Sequence, residues 1–172
     1  MITFAYFITA SFLKDNTPLN ENVDDKLIKN AIKEAQDIYI QDLIGSDLYN
    51  ELQTQIVAGS TTALNVTLLD RYIQPCLMHY AVCESALPLT YKFLNKSIST
   101  RNADDATPIN VQDLNMIEER YRTKAVYYGT RLRNYLKENS SSYPLFENYG
   151  TGYDVIAPND NNIIFGIDLS DE

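Results

Sequence analysis

The stretch VQDLNMIEERYRTKAVYYGTRLRNYLK, residues 111–137, decides the fold of this chain. Its apolar and aromatic residues recur at steps of three and four, which is the spacing of one face of an α-helix. They are Leu114, Ile117, Tyr121, Ala125, Tyr128, Leu132 and Tyr135. Asn110 is a suitable N-cap, and Glu118 is placed to pair with Arg122 one turn later. At 1.5 Å per residue such a helix spans about 40 Å, which is long for a small domain.

Further helical patterns precede this long helix. The first begins after Asn22 as N-cap and ends at Gly45, and the second, shorter one has Ser46 as its cap and ends at Gly59. Glycine ends helices well because it takes the left-handed conformation at little cost. A third pattern opens at Asn65, so the sequence predicts helices along most of the region between residues 22 and 90.

Two prolines interrupt the third pattern. Because proline lacks an amide hydrogen and clashes one turn back, Pro75 predicts a kink near Arg71 unless the helix begins later. Pro88 predicts a break, since the residue before a proline is pushed out of the α region. Residues 89–98 are compatible with a further short helix, and residues 99–110 are polar and predict a loop.

Both ends of the chain differ from the helical middle. The apolar run Ile2–Leu13 has no preceding base and is shorter than the roughly 20 residues that span a bilayer, so we expect a strand or an extended arm. Residues 139–172 are rich in Asn, Ser, Gly, Pro and Tyr and carry six acids but no Lys or Arg. Within them Ile163–Leu169 has the composition of a strand, and an isolated strand suggests a partner.

These patterns predict an all-α protein. We expect a bundle of about four helices with a long C-terminal helix, an extended N-terminal arm and an extended acidic C-terminal tail. Residues 1–138 are predicted to form the helical domain, including the arm at 1–21, and residues 139–172 a tail that docks on a partner.

Composition restricts the function. The chain has 172 residues, of which 45% are hydrophobic, a length that fits one domain. Its net charge of -9 has the wrong sign for gripping the phosphate backbone of a nucleic acid. A protein that lines a passage for nucleic acid without binding it can carry such a negative charge.

Cys76, His79 and Cys83 lie on one face of the third helical pattern and are the candidate metal ligands. Three ligands on one helix rarely converge on a zinc ion without others from elsewhere, and cysteine is a common small core residue. The two cysteines are too far apart in a helix to form a disulfide. We therefore predict a core or interface stripe, and no bound metal or other cofactor.

Catalytic motifs are missing from the sequence. It contains no P-loop, no GxGxxG, no GxSxG, no HExxH and no EF-hand loop. Adjacent acids such as Glu118 and Glu119 point in different directions on a helix and are better explained as caps and solvated faces. We predict no catalytic residues and no enzymatic activity.

The chain has 13 tyrosines, which suits protein–protein contact because the ring is apolar and the hydroxyl remains polar. For four of them we prefer a core position: Tyr72, Tyr80, Tyr121 and Tyr128. Aromatic and β-rich residues of the tail are instead predicted to dock on a partner. They are Tyr143, Phe146, Tyr149, Tyr153, Ile163, Ile164 and Phe165.

Several stretches between residues 7 and 146 together resemble a known family. They are FITASFLKDNTPLNENVD (7–24), AQDIYIQDLIGSDLYNEL (35–52), LDRYIQPCLMHYAVCESALPLTYKFLNKSIS (69–99), RLRNYLKEN (131–139) and SSYPLF (141–146). This pattern resembles the helical head–tail connector proteins, also called ring or adaptor proteins, of tailed bacteriophages, in particular those of crAss-like phages of gut Bacteroidetes. The resemblance consists of weakly specific positions and includes no catalytic signature.

The resemblance implies a structural virion protein that is assembled in the host cytoplasm. It implies a homo-oligomeric ring of twelve copies below the portal, which joins the capsid vertex to the tail and contacts the portal protein and neighbouring tail or ring proteins. Genomic DNA would pass through such a ring without specific binding, and no membrane would be involved.

Two other classes stay open. One is a monomeric helical interaction module in which Cys76, His79 and Cys83 hold a zinc ion. The other is a small host-directed phage regulator that binds a bacterial enzyme as an acidic decoy. Neither forms rings.

Overall fold

The computed structural model describes residues 4–94, 97–100 and 110–159. The elements in the described residues are mostly helical, and one short hairpin separates α6 from α7. They are α1 (Ala10–Asn16), α2 (Asp25–Ala35), α3 (Gln41–Ile44), α4 (Ser46–Ala58), α5 (Ala63–Leu68), α6 (Gln74–Thr90), β1 (Tyr91–Leu94), β2 (Ser97–Thr100), α7 (Val111–Glu138) and α8 (Pro144–Glu147). The all-α class and the long C-terminal helix are confirmed.

Local sequence signals account for most helix ends. Asn110 caps α7 by accepting a hydrogen bond from the Asp113 amide at 2.8 Å, as its position predicts. Gly45 and Gly59 follow α3 and α4 with positive φ angles of 80° and 62°. The cap of α2 is Asp24 and not Asn22, because the Asp24 carboxylate accepts the Lys26 amide.

Two of the predicted helices contain a wider, π-helical turn. Residues Gln36–Ile40 join α2 to α3, and residues Leu69–Ile73 join α5 to α6. Pro75 lies in the first turn of α6, directly after the second π-turn. The interruption predicted near Arg71 is therefore a π-turn and not a break in the helix. The wider turn shifts the hydrogen-bonding register next to Pro75, which has no amide hydrogen to donate.

The connection after α6 differs from the prediction. The helix continues past Pro88 to Thr90, and the chain then forms a hairpin in which Tyr91 pairs with Thr100. The expected break at Pro88 and the short helix over residues 89–98 are therefore wrong. A proline in the last turn removes few hydrogen bonds, so the helix can end after it.

Helices α6 and α7 run antiparallel to each other, and α2 also packs against α6. The thiol of Cys76 donates to the carbonyl of Ala125 at 3.5 Å, and that of Cys83 donates to the carbonyl of Glu118 at 3.4 Å. Leu77 and Tyr80 of α6 are buried, and the Tyr80 ring stacks on that of Tyr39. The antiparallel pairing of α6 and α7 places the start of α7 beside the end of α6.

The N-terminal region is less extended than predicted. Residues 4–6 have no regular secondary structure, Phe7 and Ile8 form a bend, and α1 follows directly, capped by the Thr9 hydroxyl. Phe7, Ile8 and Leu13 are buried against the helices. The region therefore forms part of the core, because its apolar side chains find a groove on their own chain.

Candidate functional site

The candidate metal ligands lie between α6 and α7. Cys76 and Cys83 are free thiols that donate to carbonyls of α7, and the ring of His79 stacks on that of Tyr128 with 5.3 Å between centroids. Burial raises the pKa of both thiols, that of Cys83 to about 12, which opposes formation of a thiolate ligand. The described residues contain no group of three or more His, Cys, Asp or Glu that could hold a metal ion.

A half-buried polar cluster ties three helices together beside these cysteines. The Tyr39 hydroxyl donates to Glu84 Oε1 at 2.6 Å, and Arg122 donates to Tyr39 at 3.4 Å and to Glu118 at 2.7 Å. Burial and the bond to Glu84 raise the pKa of Tyr39 to about 12, so its hydroxyl stays a donor. The predicted pair of Glu118 and Arg122 is confirmed, and the cluster joins the π-turn after α2 to α6 and α7.

The two halves of α7 differ in packing. In the half formed by residues 125–138, several residues are buried: Ala125, Gly129, Leu132, Arg133 and Leu136. In the half formed by residues 111–124, Leu114 is the buried residue. We call residues 111–124 the distal half of α7.

Large apolar side chains are exposed at the distal half and at the adjoining end of α6. They are Leu87, Val111, Met116 and Ile117, and Ile117 is 41% exposed. At 3.6 residues per turn, Val111, Met116 and Ile117 point in different directions around α7, so these residues lie together at one end of the helix and not on one face of it. A group of exposed apolar residues at one helix end is a candidate interaction surface. We call these four residues the distal surface.

The predicted docking residues of the tail fall into three groups. Tyr143 and Phe146 are buried, and the Tyr143 hydroxyl donates to the carbonyl of Leu64 at 3.1 Å. Their assignment to partner docking is therefore wrong, because short helical turns at 140–147 pack them into their own core. Tyr149 and Tyr153 are exposed, as docking residues need to be. The residues Ile163, Ile164 and Phe165, and the strand predicted over Ile163–Leu169, lie outside the described residues.

The irregular chain after α8 returns to its own helices. The Ser46 amide donates to the carbonyl of Ile156, and the Ile156 amide donates to Ser46 Oγ, both at 2.9 Å. Further along, the Asn159 amide donates to the carbonyl of Asp42 at 2.9 Å. Pro158 lies so close to Gly45 that a Cβ there would be 2.8 Å from its ring. The tail up to residue 159 is thus held at the junction of α3 and α4.

Sequence reasoning missed a second polar site, which holds residues 4–8. Gln36 and Gln53 are buried, and their amide groups contact the backbone of Ala5 and Phe7. Fully buried glutamines are uncommon, and one in the middle of an apolar helix face is the sequence signal that could have identified the site.

The fold and these sites define a small all-α protein with a bundle of helices around α6 and α7, an N-terminal segment bound in a groove and an exposed distal surface. More particularly, the chain belongs to DUF6712, a family of unknown function whose pattern matches residues 40–154. No curated protein and no solved structure matches the chain. Among the helices of the described residues, none is long and apolar enough to cross a membrane.

Proposed function

We propose that the protein is a structural virion protein that forms a ring in the head–tail connector of a tailed phage, below the portal. The ring joins the capsid vertex to the tail and lines the DNA passage, with twelve copies and no chemical reaction of its own. The resemblance over residues 7–146 motivates this assignment, and the distal half of α7 is the observation that carries it.

The distal half of α7 is hard to explain in an isolated monomer. Its residues 111–124 bury only Leu114, although Glu118 accepts from Cys83 and Arg122 donates to Tyr39. Helices of this length are marginal in water unless an apolar face is packed. Contact with a neighbouring copy would cover the distal surface and supply the missing packing.

A ring uses heterologous contacts, in which one surface of each copy meets a different surface of the next. The distal surface is the first of these two surfaces in our proposal. The net charge of -9 supports the passage of DNA, because walls of like charge do not bind the duplex. The exposed Tyr149 and Tyr153 are available for the portal or a neighbouring ring.

Native mass spectrometry and negative-stain imaging test the proposal on the purified full chain, alone and mixed with the portal protein of its own phage. We expect rings in at least one of the two samples, and the measured mass gives the copy number. A protein that stays monomeric in both samples contradicts the proposal, and the interaction module or the host-directed regulator then becomes the leading interpretation.

A matched pair of variants tests the observation that carries the proposal. Ile117→Glu places a charge on the distal surface, whereas Ile38→Glu does so at an isoleucine of similar exposure, 44% against 41%. We expect Ile117→Glu to abolish ring formation and Ile38→Glu to retain it, with both variants folded by circular dichroism. Rings formed equally well by Ile117→Glu would show that the distal surface is not the contact.

A further inference from the structure

Residues 4–8 are bound through their backbone as a peptide ligand would be. The Ala5 amide donates to Gln53 Oε1 at 2.6 Å, and Gln36 Nε2 donates to the Ala5 carbonyl at 2.9 Å. Gln36 Oε1 accepts the Phe7 amide at 2.8 Å, and Gln74 Nε2 donates to the Phe7 carbonyl at 3.3 Å. Three glutamines from different parts of the bundle therefore satisfy both backbone groups of two alternate residues.

A tyrosine and an aspartate orient two of these glutamines. The Tyr49 hydroxyl donates to Asp37 at 2.6 Å and accepts from Gln36 Nε2 at 3.2 Å and from Gln53 Nε2 at 3.1 Å. The amide oxygens of Gln36 and Gln53 are thereby directed at the bound segment. Burial and the bond to Asp37 raise the pKa of Tyr49, so the phenol keeps its proton and this orientation.

The groove also selects side chains. Ala5, Phe7 and Ile8 are buried, and the Phe7 ring lies 5.4 Å from that of Tyr49. At the mouth of the groove, the ammonium group of Lys33 lies 4.7 Å from the centre of the Phe4 ring. We call this site, formed by Gln36, Gln53, Gln74, Tyr49 and Asp37, the glutamine cleft.

We propose that the glutamine cleft is a peptide-binding site that takes residues 4–8 from a second copy of this chain, so that neighbouring copies exchange their N-terminal segments. The hydrogen bonds to the segment come from side chains of the cleft, so a segment from another copy makes the same contacts. Residues 17–24 connect α1 to α2, are mostly exposed, and reach about 26 Å when extended, so they are the hinge, and α1 with its buried Leu13 moves together with residues 4–8.

The choice between its own segment and that of a neighbour depends on how close the copies lie. A short linker gives the chain's own segment an effective concentration in the millimolar range, which favours it in dilute solution. When neighbouring copies are held side by side, the segment of a neighbour also reaches a high effective concentration, so the chain's own segment is no longer favoured. The inference rests on the proposed ring for that proximity, and the exchange itself is measured separately from ring formation.

Disulfide trapping between two single variants tests the exchange. Phe4→Cys and Lys33→Cys alter adjacent surface side chains, and neither chain alone can close this disulfide. The two full-length variants are unfolded together in urea, refolded together at about 100 μM and oxidised mildly. The buried native cysteines are poor competitors, because burial raises the pKa of their thiols.

We expect at least fivefold more disulfide-linked heterodimer than in a control mixture of Phe4→Cys with Lys124→Cys, whose lysine lies on α7. The double variant Phe4→Cys/Lys33→Cys reports whether the segment occupies the cleft at all. A heterodimer yield equal to the control overturns the inference, whether or not the double variant closes its disulfide. Native mass spectrometry of the same samples scores rings, so rings without trapped heterodimer overturn the exchange alone.

Discussion

The two halves of α7 belong to one continuous helix, yet they are built for different surroundings. Residues 125–138 bury Leu132 and Leu136 completely, and Arg133 donates from there to the carbonyl of Asn159 at 3.2 Å. Residues 111–124 expose Met116 and Ile117 instead. Both halves expose some apolar area, since Tyr127 of the buried half is 61% exposed, but only the buried half has a series of enclosed side chains along one face.

This difference separates the stability of the monomer from its capacity to assemble. Apolar area buried within the chain stabilises the fold, and apolar area left exposed is available to a partner. Substitutions in the buried half should therefore change the free energy of unfolding, and those in the distal half should change assembly.

The largest effect is expected from truncating a leucine in the buried half. Leu132→Ala removes a side chain that is fully buried and leaves a cavity, which costs about 2–5 kcal/mol of the free energy of unfolding. Ile117→Ala in the distal half should change it by less than about 0.5 kcal/mol. Urea unfolding followed by circular dichroism measures both.

In an assembly measurement we expect the opposite order. Ile117→Ala should reduce ring formation more than Leu132→Ala does, because Ile117 belongs to the distal surface. Equal losses of stability for Leu132→Ala and Ile117→Ala would show that the two halves contribute equally to the monomer. The difference in packing between the two halves of α7, on which the proposed function depends, would then be contradicted.

A smaller effect is expected at the cap of the distal half. Asn110→Ala removes the side chain that accepts the Asp113 amide, at a typical cost of about 1 kcal/mol. Because residues 111–117 precede the contacts that Glu118, Tyr121 and Arg122 make, and bury only Leu114, we expect faster hydrogen exchange in residues 111–120 and little change in 125–136.

Asn110→Ser is the matched control, since serine also caps helices, and it should restore most of the protection. Faster exchange along the whole of α7 in Asn110→Ala would show that the helix opens as one unit and that the halves are not independent.

The sequence predicts this protein well wherever the decisive signal is local. The apolar spacing of α7, its cap at Asn110 and the glycines after α3 and α4 depend on residues within a turn of one another, and they are confirmed. The prediction of a break at Pro88 is wrong, because α6 continues for two more residues and ends at Thr90. The residues around a proline do not determine at which of these positions the helix ends.

Contacts between distant residues escape such reasoning. The bond from Ala5 to Gln53 joins residues 48 apart, and that from Ile156 to Ser46 joins residues 110 apart. Tyr143 looks like a docking residue in a polar tail and is buried because α8 turns it back to the core. The glutamine cleft and the returning tail therefore require the three-dimensional structure.

The smallest effect is expected from His79, which lies beside the boundary between the two halves of α7. Burial, and secondarily the charge of Lys124, lower the pKa of its imidazole below the ordinary value of 6.5. The unfolded chain therefore binds a proton more readily than the folded one as the pH falls below 6.5. Stability contributed by the neutral ring is fully present above that value and is lost as the pH decreases, by at most about 1 kcal/mol between pH 6.5 and 5.5.

His79→Phe keeps a ring that can stack on Tyr128 and removes the titration, so it is the matched control. We expect the free energy of unfolding of the wild type, measured in urea at pH 7.5, 6.5 and 5.5, to fall relative to that of His79→Phe only below pH 6.5. Since His79 contacts Tyr121 and Tyr128 on both sides of the boundary at Ala125, this loss reports packing that the two halves share. A difference between the two proteins that stays constant over this range would show that the imidazole is solvated, and that the packing of α6 against α7 is looser at the boundary than in the buried half.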